Sequence, residues 1–147
     1  MFFTDEPMKM KLILSLICIV PLLVACKSSN FTPKTYKGAQ LVIGSSGGVT
    51  GMMKEYILLD NSQLFLSKGL KGEWKPVKNL KKSQTKEIFK KAEELGLGTL
   101  KFKHPGNMTY YFILKHPPRS NETKWGESGI VPPEGITAFY NYLLSLF

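Results

Sequence analysis

Ser46 is the residue whose surroundings most directly suggest chemistry. Gly44-Ser45-Ser46-Gly47-Gly48 spells GxSxG, the pattern of a nucleophile elbow, which lifts a serine hydroxyl between a strand and a helix. Asp60 and then His104 or His116 follow in the chain order serine, acid, histidine, and the reaction would be acyl transfer. Three features argue against it. The residues after the loop, KEYILLDNSQLFLS, read as a hairpin and not as a helix. The short span from Ser46 to Asp60 leaves no room for intervening strand-helix units. A Gly/Ser loop also meets a five-residue pattern by accident. The same loop lacks the Gly-Lys-Ser/Thr of a phosphate-binding loop and the first spaced glycine of GxGxxG. The expectation is a protein that is not an enzyme, with a small serine hydrolase using Ser46 as the least favoured reading.

The other reactive side chains are few. His104 and His116 are the two histidines, each stands before a proline, and both contexts are turns. No cysteine follows Cys26, so a zinc site would need both histidines and carboxylates; no metal and no cofactor are expected. Trp74, Trp125 and the Tyr110-Tyr111-Phe112 run are expected to fill the core. Strand alternation sets Tyr111 on the face opposite Tyr110 and Phe112.

Cys26 is the residue with the clearest chemical future. Lys9 and Lys11 precede the apolar run LILSLICIVPLLV, and Leu23-Val24-Ala25-Cys26 closes it. A basic start, a short apolar stretch and a small residue before the cut describe a secretory signal peptide. The run is shorter than the ~20 residues that span a bilayer comfortably. Leu23-Val24-Ala25-Cys26 resembles the lipobox of bacterial lipoproteins. The resemblance implies a diacylglycerol on the Cys26 thiol, cleavage after Ala25 and acylation of the new N-terminus. Several acyl chains anchor stably where one would not. Asp5 and Glu6 oppose the basic region, so Met8 is the expected start. Residues 1–25 are then the signal peptide, 26–35 a lipidated tether rich in Ser, Asn, Thr and Lys, and 36–147 one domain. Lys27 follows the cysteine in place of the aspartate that retains enterobacterial lipoproteins in the inner membrane. By that resemblance the outer membrane is the destination.

The whole chain has 147 residues, 20 Lys+Arg against 11 Asp+Glu and a formal net charge of +9. That length allows one ordinary domain with a hydrophobic core. All but one of the basic residues are lysines, Arg119 being the exception. Readers of nucleic acid favour arginine for bidentate contacts, and these lysines are dispersed, so nucleic acid is not an expected partner. A solubilising surface is the favoured reading, with attraction to anionic lipid head groups or polyanionic glycans as the alternative.

The elements that must hold these residues follow from periodicity. Ala39–Gly44 reads as a strand, Gly44–Gly51 as a loop, and Lys54–Leu59 and Gln63–Ser67 as a hairpin about Asp60-Asn61-Ser62. Glu73–Val77 reads as an edge strand, because Pro76 is poorly placed in a sheet centre. Ser83 is the expected cap of a helix whose Ile88, Phe89, Ala92 and Leu95 share a face and which Gly96 ends. Thr99–Phe102 reads as a short strand, Tyr110–Leu114 and Glu122–Trp125 as a second hairpin, and Glu134–Phe147 as a helix opened by Pro132 and Pro133. Together they predict an α+β domain: a small antiparallel sheet with two helices packed on one face.

A glycine-dense loop brings backbone close to a partner with no side chain in the way. Ser46, Gly47, Gly48, Val49, Thr50 and Gly51 are therefore the candidate partner-binding residues, against the plainer alternative of a connection between strands. Ser46-Gly47-Gly48-Val49-Thr50-Gly51, with Tyr56 and Leu58 behind it and Pro133-Glu134-Gly135 later, resembles the start and end of emfourin-type inhibitors, small bacterial inhibitors of thermolysin-like metalloproteases. The layout as a whole is similar to small lipoproteins of flavobacteria, a resemblance that implies a location and no activity. The expected function is a lipid-anchored envelope binding or inhibitory module, protease-inhibitor-like, meeting an envelope protein or a protease and touching the membrane through Cys26. The alternative is a structural lipoprotein docked on an envelope complex.

Overall fold

A computed structural model of the chain describes residues 31–69 and 72–147. Cys26, the expected signal peptide and most of the expected tether lie outside the described residues. One compact unit runs from Thr32 to Phe147. Thr32–Thr35, expected in the tether, form a turn in which the Thr35 and Tyr36 amides donate to the Thr32 carbonyl. The buried Gln40 amide donates to the Pro33 carbonyl at 3.0 Å, tying the turn to the first strand.

Six strands form one antiparallel sheet: β1 (Gln40–Gly47), β2 (Met52–Leu59), β3 (Gln63–Lys68), β4 (Lys75–Asn79), β5 (Met108–His116) and β6 (Arg119–Trp125). Their order is β4-β3-β2-β1-β5-β6, so β1 lies between β2 and β5. Among the described residues two helices, α1 (Lys82–Glu94) and α2 (Ile136–Leu146), complete an α+β architecture. Alternation divides the sheet. Leu41 and Ile43 stand opposite Leu58 and Tyr56 on β2 and Leu114 and Phe112 on β5. These residues form one core cluster with Ile88, Phe89 and Ala92 of α1 and Ile136, Phe139, Tyr140 and Leu143 of α2. Val42, Ile57, Leu59, Phe65 and Tyr111 belong to a second, smaller cluster, with Tyr36 and Trp74 against it.

Several boundaries differ from expectation, each for a local reason. β1 does not stop at Gly44. Its ladder with β2 and β5 continues through Ser45, Ser46 and Gly47, since glycine and serine give backbone groups to a ladder as any residue does. Helix α1 starts after Lys81, not at a Ser83 cap; the Leu80 amide donates to the Ser62 carbonyl and fixes the entry, and the Lys81 amide donates to Gln84 Oε1. Its exit follows expectation: the Gly96 amide donates to Glu93 O and the Leu97 amide to Ala92 O, a Schellman pair. Thr99–Phe102 is not a strand. Asn121 donates from its side chain to the Leu97 and Leu100 carbonyls in place of a ladder, and only Lys103 bridges to Lys124. Edge strand β4 begins at Lys75, two residues later than the sequence suggests, with Pro76 opposite Phe65 beside a register shift. Helix α2 begins at Ile136, after the chain turns at Gly135.

Candidate functional site

The candidate loop divides in two. Ser46 and Gly47 are strand residues, Ser46 paired with Met53 and Thr109, while Gly48–Gly51 make the turn. The turn is held from below: the Gly48 amide donates to the Asn107 carbonyl at 2.8 Å and the Gly51 amide to Gly48 O at 3.1 Å. Gly47 has φ +109°, and a Cβ there would fall 2.1 Å from the Asn107 carbonyl oxygen. A glycine is therefore required at 47 by both torsion and space. At the tip Val49 is fully exposed, and Met52 and Met108, which flank Gly47, are 68% and 39% exposed. Thr50 and Gly51 are exposed beside Val49.

The hydrolase residues are not brought together. Asp60 follows the far end of β2, about 23 Å from the level of Ser46 at the rise of a strand. Its carboxylate accepts from the Tyr36 hydroxyl and from the Ala39 amide at 2.9 Å. That bond, together with burial, pushes the Tyr36 phenol up to about 12, burial being the larger cause. His104 Nδ1 lies 3.1 Å from Glu127, and His116 Nε2 lies 3.5 Å from Glu93. No group of three His, Cys, Asp or Glu able to hold a metal occurs among the described residues.

Behind the hairpin, the sheet register lines up a row whose aromatic members the sequence assigns to the core. Lys54, Ser45, Tyr110 and Trp125 stand opposite one another across β2, β1, β5 and β6. Thr137, Tyr140, Asn141 and Leu144 of α2, spaced so as to share a helix side, close over this row. Between them lies a pocket of about 450 Å³. Trp125 and Tyr140 meet edge to face with centroids 5.3 Å apart, and Tyr110 meets Tyr140 at 5.6 Å. The Tyr140 hydroxyl donates to the Gly44 carbonyl at 3.1 Å. Burial raises its pKa, so the phenol keeps its proton. Lys54 Nζ sits 4.9 Å over the Tyr56 ring. The pocket thus joins aromatic walls to one ammonium, the aliphatic hydroxyls of Ser45 and Thr137, and the Asn141 amide. Polar Thr137 and Asn141 on the side of α2 that carries Tyr140 were the sequence signal for it.

A second groove, about 460 Å³, lies over Ile88, Phe139 and Tyr142. On its rim Lys90 and Lys91 reach Glu94 at 3.7 and 3.5 Å, and Glu87 makes no ion pair among the described residues. No family model and no curated protein matches this chain.

Proposed function

We propose that this chain is a lipid-anchored envelope module that binds a protein partner through the hairpin end of its sheet and catalyses no reaction. Cys26 carries the lipid in this reading, the outer membrane is its address, and both helices lie on the sheet face of Leu41 and Ile43, for which their shared cluster is the support. The observation that carries the reading is Val49: an apolar side chain fully in water at the tip of a turn bonded to Asn107. Met52 and Met108 widen that tip into an apolar patch, and methionine adapts its shape to a partner at little cost. A partner protease blocked by the hairpin is one form of the module, supported by the resemblance of residues 46–51 to emfourin-type inhibitors. Assembly by strand addition has less behind it, because β4 presents Lys75, Pro76 and Lys78 along its edge.

The test is a photoreactive residue in place of Thr50, beside Val49, expressed in cells that make this protein. Crosslinking there to one envelope protein, lost when Val49→Asp is added, is the expected outcome. Mass spectrometry of the same material should show Cys26 as the N-terminal residue, with a diacylglycerol on its thiol and an acyl group on its amine, and Cys26→Ser should leave the precursor uncleaved. Crosslinks that survive Val49→Asp would remove the hairpin from the reading. An unmodified Cys26 in membrane-derived protein would remove the anchor.

A further inference from the structure

Among the described residues, Lys54 is the one charged residue lining the aromatic pocket. It makes no ion pair among the described residues, and its neighbour Glu55 points to the other sheet face, where it accepts from the Tyr111 hydroxyl at 2.7 Å. Across the β2–β3 ladder Lys54 stands directly opposite Lys68, which also has no ion pair among the described residues. Like charges facing one another across strands destabilise a sheet. The pocket therefore has a positive wall at one side and three aromatic rings at the other. Ser45, Thr137 and Asn141 add donors that a carboxylate could accept from.

We infer that this pocket binds an apolar or aromatic group that carries a carboxylate. The ring or alkyl group sits against Tyr110, Trp125 and Tyr140, and the carboxylate sits at Lys54, where it relieves the repulsion with Lys68. The space, about 450 Å³, is within the range of ordinary small-ligand sites. Two sources share this chemistry: a free small carboxylic acid, and the C-terminal residue of a peptide. Met108 and Met52 lie on the same sheet face one step beyond Tyr110 and Lys54, so apolar ground continues outward for a longer chain. The pocket itself needs no partner protein, and Val49, Met52 and Met108 are not among the residues that line it.

The full chain carrying Trp74→Phe leaves Trp125 as its only tryptophan, whose fluorescence then reports the pocket. Titration with N-acetylphenylalanine should give a saturable change, and N-acetylphenylalaninamide should bind about tenfold more weakly, the scale of one charge-assisted contact. Lys54→Met should remove the preference for the acid, and Lys54→Arg should keep it. Raising salt should weaken the acid and leave the amide unchanged. A short peptide ending in free Phe that binds tighter than the N-acetyl amino acid assigns the site to C-termini; the reverse assigns it to free acids. Equal binding of acid and amide, a preference that survives Lys54→Met, or no saturable change up to about 10 mM ligand, where a millimolar site is nearly full, would overturn the inference.

Discussion

Tyr111 shows how a single residue ties three strands together on one sheet face. Its ring lies on the backbone of Gly44, where a Cβ would come 2.3 Å from the ring carbon that bears the hydroxyl. Glycine in the middle of the central strand is thus space for an aromatic ring, a role that composition alone does not distinguish from flexibility. The hydroxyl donates to Glu55, and burial, with that carboxylate behind it, raises the phenol well above its ordinary value. Tyr36 and Tyr140 shift the same way. In the unfolded chain all three ionise near pH 10. Below pH 10 both states hold the protons and these groups leave stability level. Above it the unfolded chain releases protons that the fold retains, so stability falls with rising pH, by at most roughly 1.4 kcal/mol per pH unit for each buried phenol. Urea titrations from pH 9 to 12 should show that decline. Tyr111→Phe should start about 1 kcal/mol lower, from the lost hydrogen bond, and decline less steeply. A slope unchanged by Tyr111→Phe would mean that the phenol ionises as freely in the fold as outside it.

At the scale of elements, the hairpin β1–β2 separates two kinds of glycine. Gly47 belongs to the ladder and abuts Asn107, while Gly51 has open space around the position of a Cβ. Gly47→Val should therefore lower the melting temperature by several degrees or prevent folding, the scale of 1–3 kcal/mol for overpacking. Val49→Asp, whose parent side chain touches water all round, should leave it within about a degree. Thermal melts of the two variants check this, and equal melting temperatures would contradict the pairing of Gly47 with Met52 and Met108. The extent of β1 was the least legible part of the fold. Its apolar half, Leu41–Ile43, alternates as a strand should, but Gly44–Gly47 carries no side-chain signal, and its pairing is set by β2 and β5 on either side. The helix exit at Gly96 was legible because a local αL residue and two local bonds make it. The Thr99–Phe102 segment was not, because Asn121, distant in sequence, takes up carbonyls in and before it. For the same reason the pocket was half visible: the aromatic residues were evident, but only the register shows that Lys54, Ser45, Tyr110 and Trp125 form one row.

For the whole molecule the sheet's edges and its charge agree. β4 shows Lys75, Pro76 and Lys78 to water, and the far edge, β6, is partly covered where the His104 amide donates to Lys124 O and the Lys124 amide to Phe102 O. Neither edge invites a further strand, which suits a basic protein that stays apart from its own copies. The order of the strands bears on how such a chain folds as it is made. β1 comes first in sequence yet lies mid-sheet, and its second neighbour, β5, is made from Met108–His116. A chain that emerges N-terminus first, from a ribosome or through a narrow pore, exposes its β1 long before β5 arrives, and long-range pairing of this kind closes late. Chains ending at Asn107 should therefore lack slow-exchanging amides in β1, whereas the whole chain should protect them; protection in the shortened chain would show that β1–β4 fold alone. Until β5 arrives, β1 can hold only one of its two ladders, the one with β2.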